Sequence, residues 1–197
     1  MEEVKVVDWV DIEAPRQEVF DLILNIERRI QLSPLWGVSV IEGISPDYPQ
    51  PGSHYRVRLI KGEQNRYDTI ITELQPEQKI SYKTTAVQET EVTWVVQEAA
   101  SGTRVLYEEK FCIDPGQKEE LTKAVRKVVH DWLANMKRYA ELREKRWQRL
   151  VKWFLDRYYL KMRQDQRKVV QVVLFMQVVG LLSFVMAAVA LGVSSLF

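Results

Sequence analysis

One cysteine, Cys112, and two histidines, His54 and His130, are all that 197 residues offer of the side chains behind disulfides, zinc sites and most nucleophile–base pairs. A lone cysteine excludes an internal disulfide and fits a reducing compartment. Two histidines and one cysteine supply no zinc set at any standard spacing. No catalytic signature, no Asn-x-Ser/Thr sequon and no secretory leader stand in the chain: MEEVKVVDWV lacks a basic stretch followed by an apolar core. No metal, nucleotide or other cofactor is expected.

A second absence lies at the other end. Residues 169–197 contain no Asp, Glu, Lys or Arg, and only Gln171, Gln177 and three serines interrupt the apolar run. Roughly 20 apolar residues at about 1.5 Å each cross the hydrocarbon core of a bilayer. A buried helix explains the run poorly, since globular helices of this length almost always keep a polar face. The expectation is a tail-anchored, single-pass protein. Its domains would be 1–143 (soluble), 144–168 (basic juxtamembrane helix) and 169–197 (transmembrane helix).

Charge is sparse as a total and lopsided in place. The net of +1 divides into 12 basic and 4 acidic side chains over 137–168, against 16 and 23 over the preceding 136 residues. Positive flanks stay on the cytoplasmic side, so the soluble domain is expected there. An acidic domain argues against a nucleic-acid partner.

Within the soluble part, runs over 4–12, 37–44, 54–61, 66–74, 79–87, 91–99 and 103–113 read as strands, separated by Pro-, Gly- and Asn-rich turns. Tyr55, Val57 and Leu59 oppose His54, Arg56 and Arg58. Val92, Trp94 and Val96 oppose Glu91, Thr93 and Gln97. One apolar and one polar face is the pattern of an antiparallel sheet. Val19, Phe20, Ile23 and Leu24 recur at helical spacing after Pro15, and a short second helix around 27–32 closes at Ser33-Pro34. Leu121, Val125, Val128, Trp132, Met136 and Tyr139 form an apolar stripe along a long helix able to lie on the sheet. The class is α+β, a curved antiparallel sheet wrapped around a long C-terminal helix.

Three stretches, VDWVDIEAPRQEVFDLILNIERRIQLSPLW, IITELQPEQKISYKT and ASGTRVLYEEKFCI, together resemble the helix-grip fold of the SRPBCC superfamily. That group includes START-type lipid carriers and polyketide cyclase/dehydrase proteins, and the resemblance runs from Val4 to Leu142. It implies a cavity between sheet and long helix that holds an apolar or amphipathic small molecule.

Tyr55, Tyr82, Trp94, Tyr107 and Phe111 fall on inward strand faces, and Trp132 and Met136 on the inward helix face, which makes them ligand-binding candidates. The same residues suit ordinary core packing. Glu109 shares the face of Tyr107 and Phe111 and is a weak catalytic candidate, since a desolvated carboxyl suits acid–base work. A bulge or a place at the cavity mouth, leaving it hydrated, weighs more. His130 lies off the helix stripe, and Cys112 has no base in view.

Residues 146–168 set Trp147, Leu150, Val151, Phe154, Tyr158 and Met162 at helical spacing among Arg and Lys, with Trp153 and Tyr159 nearby. Such a helix can lie against anionic headgroups, or pack on its own domain. Gly180, Ser183, Ala187, Ala190 and Ser194 form a small-residue row where a second copy could pair. The leading expectation is a membrane-anchored binding module for a lipid, quinone or polyketide-like molecule. The alternatives are a cyclase/dehydrase-type enzyme and a tethered interaction domain with a filled cavity.

Overall fold

The computed structural model describes every residue except 1, 35–38, 60–65, 86–88, 144, 163 and 195–197. It comprises two compact units, Met1–Leu160 and Lys161–Phe197.

The first unit opens with β1 (Glu2–Ile12), whose buried Val4, Val6 and Ile12 alternate with exposed neighbours. Pro15 then caps α1 (Arg16–Leu24), and Asn25 caps α2 (Ile26–Leu32) by accepting the Arg28 amide at 3.0 Å. That side-chain oxygen takes one of the helix's orphan donors. Six strands follow: β2 (Ser39–Ile44), β3 (His54–Leu59), β4 (Arg66–Gln75), β5 (Lys79–Thr85), β6 (Glu89–Ala99) and β7 (Gly102–Ile113). They form one antiparallel sheet in the order β1-β7-β6-β5-β4-β3-β2, so the first strand closes against the last. Register shifts at Ile41/Gly43 and Ile71/Glu73 mark bulges, which bend a strand and increase its twist.

These elements match the sequence expectation to within about two residues. The start of the expected 37–44 strand and the ends of the 54–61 and 79–87 strands lie outside the described residues.

After a 3-10 turn at Pro115–Gln117 comes α3 (Lys118–Ala140). Of its expected stripe Trp132, Met136 and Tyr139 are buried, joined by Val129, Leu133 and Ala140, which the stripe did not include, while Val128 is half-buried. Leu121 is exposed and Val125 only partly covered, so the N-terminal half does not close on the core as the stripe suggests.

The basic stretch is not one helix. α4 (Arg146–Arg157) ends at Tyr158, a 3-10 turn follows at Tyr159–Lys161, and α5 (Gln164–Ser194) belongs to the second unit. α4 is tied to the first unit by Asp156, which pairs with Arg28 at 3.1 Å and accepts the Tyr139 hydroxyl at 2.8 Å. Leu160 is buried in the same core. Packing on its own domain therefore holds part of this stretch.

Among the described residues, no helix is long and apolar enough to cross a membrane, so the expected transmembrane span is not supported. Apart from the half-buried Val170, the described apolar side chains of α5 from Val169 to Met186 are exposed. In the expected small-residue row, the Ser183 hydroxyl donates back to the Val179 carbonyl at 2.9 Å. The side chains of Ala187, Ala190 and Ser194 lie outside the description.

Candidate functional site

The inward face of the sheet meets α3 in a run of aromatic rings. Trp94 on β6 and Tyr107 on β7 are register partners, with centroids 4.7 Å apart at 75°. Trp132 descends from α3 to 5.2 Å from Trp94 and 5.9 Å from Tyr107. Edge-to-face rings at these spacings add to simple area burial. Both indole N–H groups are used: Trp94 Nε1 donates to the Tyr82 hydroxyl at 3.1 Å, and Trp132 Nε1 to the Arg29 carbonyl at 2.9 Å.

Tyr55, Tyr82, Trp94, Tyr107, Phe111, Trp132 and Met136 are thus all buried in one core. The rings of Trp94, Tyr107 and Trp132 touch, and Met136 is wholly enclosed. At that level sheet and helix are joined by side chains.

Space appears further along. A cleft of about 710 Å³ is lined by Pro115, Lys118, Glu119, Thr122, Lys123 and Arg126. Thr122 and Arg126 stand on the helix face continued by the buried Val129, Leu133 and Met136, at steps of four, three, four and three. The Thr122 hydroxyl is buried and has no hydrogen-bond partner among the described residues. The cleft therefore follows the face that downstream forms the roof of the core. A wider groove of about 940 Å³ sits at the opposite end of the sheet, among charged side chains and turn backbone at Glu13–Arg16, Glu98, Gly102 and Arg143, away from the aromatic interior.

The sequence reading missed Arg29. It sits at 2 % exposure on the inner face of α2. Nη1 donates to the Ile23 carbonyl at 2.9 Å and Nη2 to the Tyr55 hydroxyl at 2.7 Å. The guanidinium lies 4.9 Å from the Tyr82 ring centroid and 5.8 Å from that of Tyr55. Burial works against its charge, while the negative charge that Tyr55, Tyr82, Tyr48 and Tyr67 carry when ionised holds its pKa above the ordinary arginine value. One signal was available: Arg29 stands three after Ile26 and one before Ile30, inside the apolar stripe of a short helix.

Tyr48, Tyr67, Tyr82 and Tyr107 stay protonated at neutral pH. Burial pushes Tyr48 up to about 12 and also raises Tyr67, Tyr82 and Tyr107 well above the ordinary tyrosine value. Tyr48 gives its proton to the Leu24 carbonyl at 2.8 Å.

Glu109 is partly buried on the inward face, in register between Val6 and Val92, and accepts the Tyr107 hydroxyl at 2.8 Å. Burial raises its pKa, and the Tyr107 hydrogen bond opposes the rise. The folded protein therefore holds this proton more tightly than the unfolded chain. The stability contributed by the neutral carboxyl is complete below the ordinary glutamic value of about 4.3 and is lost as pH rises through the folded value. Glu109→Gln, whose amide oxygen can still accept from Tyr107, should melt above wild type at neutral pH. The two melting curves should converge as pH falls to about 4. A gap that stays constant across this range would show that Glu109 ionises freely.

The other reactive side chains stand apart from this interior. Cys112 is exposed, and His130 is solvent-facing with Nδ1 3.1 Å from Asp8 Oδ2.

Residues 3–141 match the family model described as polyketide cyclase / dehydrase and lipid transport. The chain belongs to this family. No functionally curated protein matches the sequence. Solved structures share the fold at low identity. A polyketide-cyclase-like protein, Cgl2372 from Corynebacterium glutamicum, is 17 % identical with a TM-score of 0.54, covering 72 % of this chain and 93 % of its own. The Aha1 dimer from Colwellia psychrerythraea is 12 % identical with a TM-score of 0.53, covering 72 % and 99 %. DynU16, from the dynemicin biosynthetic locus, is 17 % identical with a TM-score of 0.53 over 70 % of this chain; the chain spans only 47 % of DynU16. For the polyketide cyclase / dehydrase fold, the α2 arginine and the Tyr107–Glu109 pair are what this chain sets inside.

Proposed function

We propose that this family member is a binding module for a hydrophobic small molecule (a lipid, quinone or polyketide-like compound), held at the cytoplasmic face of a membrane. The observation that carries the ligand reading is the juxtaposition of an aromatic interior with a cleft of about 710 Å³ on the same face of α3. Apolar pockets for small molecules span roughly 300–1,000 Å³ with a few placed polar groups.

Side chains outside the core support the membrane part. On α4, Trp147, Leu150, Trp153, Phe154 and Tyr158 are exposed, and Arg146, Arg149, Lys152 and Arg157 lie among them. Aromatics at the interface with cations against anionic lipid is the pattern of a surface-lying helix. The exposed apolar residues along α5 call for the same environment. Pairing of two copies through the row that begins at Gly180 and Ser183 belongs to this proposal.

A second reading, a cyclase/dehydrase-type enzyme, is favoured by one observation. The Tyr107–Glu109 pair presents a proton donor and a carboxyl of raised pKa on the inward face.

The test uses the full chain purified in non-ionic detergent. Native mass spectrometry and organic extraction should find one reproducible apolar molecule. The same protein should float with vesicles, and more strongly when they contain phosphatidylglycerol than when they are purely phosphatidylcholine. A folded, consistently empty protein overturns the ligand reading, and a protein left at the bottom of the gradient overturns the membrane reading.

A further inference from the structure

Arg29 combines three properties that rarely coincide. It is charged at every accessible pH, it is 2 % exposed, and among the described residues no carboxylate lies within ion-pair distance of it. A buried cation without a counter-charge is expensive, because neutral hydroxyls and ring faces restore only part of the lost hydration. A guanidinium carries five N–H donors in a planar fork. Two hydrogen bonds are in place, to Ile23 and Tyr55, and both acceptors are neutral. The neighbouring hydroxyls can add donors of their own. Tyr55 accepts from Arg29 and Tyr82 accepts from Trp94, so each hydroxyl proton points elsewhere. The partly buried carboxyl of Glu109 engages Tyr107 and not Arg29.

The guanidinium fork therefore meets only neutral acceptors. We propose that Arg29 is the recognition group for the carboxylate of the ligand, so that the chain takes an apolar acid in preference to a neutral lipid. This rests on the binding-module reading above and names its ligand class. A carboxylate matches the guanidinium fork with two parallel hydrogen bonds, which a single hydroxyl or carbonyl cannot do. The Tyr55 hydroxyl would complete the cradle, and the apolar remainder would enter by parting the Trp94, Tyr107 and Trp132 rings that fill the interior. Of the cleft cations, Lys118 pairs with Glu2 at 2.6 Å, and Lys123 and Arg126 are exposed to solvent, which hydrates them.

The full chain in non-ionic detergent is titrated with dodecanoate and with dodecanol, against empty micelles, reading the fluorescence of the buried tryptophans. Wild type should bind dodecanoate about tenfold or more tighter than dodecanol, the margin expected of a charge-assisted pair. Arg29→Met, which keeps the apolar stem, should bind both alike and should fold at least as stably, since an unpaired buried charge has gone. A Lys123→Gln/Arg126→Gln double variant should keep the wild-type preference. Should Arg29→Met not fold, Arg29→Lys serves instead, with the charge kept, the fork lost and the preference reduced. Equal binding of both probes by wild type overturns the proposal. So does a preference that survives Arg29→Met or vanishes in the double variant. Binding of neither probe sinks the binding-module reading itself.

Discussion

Replacing Trp94 by alanine should destabilise the first unit by about 3–5 kcal/mol, the cost of emptying a fully enclosed aromatic site. Trp94 has no exposed surface, touches Tyr107 and Trp132 edge-on and donates to Tyr82. Its loss removes one side of two ring pairs and leaves the Tyr82 hydroxyl without its donor. In a unit of this size each kcal/mol moves the melting point by roughly 2–4 °C, so a drop of about 6–20 °C is expected. Leu121→Ala on the exposed half of α3 is the control and should stay within about 0.5 kcal/mol. The contrast separates two roles for the same ring. If Trp94 is the joint between sheet and helix, the Trp94→Ala cavity should take up added indole and recover stability with the logarithm of indole concentration once the site fills. A loss below about 1 kcal/mol would instead mean that the ring borders open space, and the ligand site would then reach deeper than the α3 cleft.

That distinction was out of reach of the sequence, whereas the fold was not. Alternation in β3, β6 and β7 marked the inward residues, because a strand reverses its side chains at every step and one face here is dry. Periodicity identified the stripe of α3 but not its depth of burial. Leu121 and Trp132 satisfy the same pattern, yet only Trp132 has the sheet beneath it. Whether neighbouring aromatics fill a space or border it depends on distances of a few ångströms across the core, and spacing along the chain carries no such information. Arg29 was hidden for a different reason. Charge is read as a mark of solvent, and that prior fails when hydroxyls contributed by β3 and β5, far away in sequence, surround the cation. Glu109 lay between the two cases. Alternation aimed it inward, and only the Tyr107 hydroxyl two residues away explains how a carboxyl is tolerated there. The break in the basic stretch follows from tertiary ties at Asp156, which the run of Arg and Lys around it concealed.

Gly102→Ala should rival the loss of Trp94 while touching no core side chain. The residue has φ +136°, a conformation that L side chains rarely adopt, and a Cβ placed on it would collide with the Ile12 carbonyl oxygen and lie 3.1 Å from the Ala14 amide nitrogen. Neither neighbour can yield. Ile12 is paired with Thr103 and its carbonyl accepts the Ala14 amide, while the Thr103 hydroxyl donates to the Ala14 carbonyl at 2.7 Å. Backbone strain of about 1–3 kcal/mol and a clash of similar size together predict about 2–6 kcal/mol. Gly116→Ala, with open space around its Cβ and no positive φ, should be neutral or stabilising by up to about 1 kcal/mol. Urea unfolding of the two variants makes the comparison, and equal midpoints would refute it. The effect reaches function through register. Gly102 opens β7, the strand that carries Tyr107 and Glu109, and its corner locks that strand against β1. Relieving the clash by a one-residue slip would turn every β7 side chain to the other face. Tyr107 and Glu109 would leave the interior, and Cys112, exposed on the outer face, would enter it. A Gly102→Ala protein that still folds should therefore protect Cys112 from a thiol reagent if the strand has slipped, and leave it reactive if the corner has instead opened.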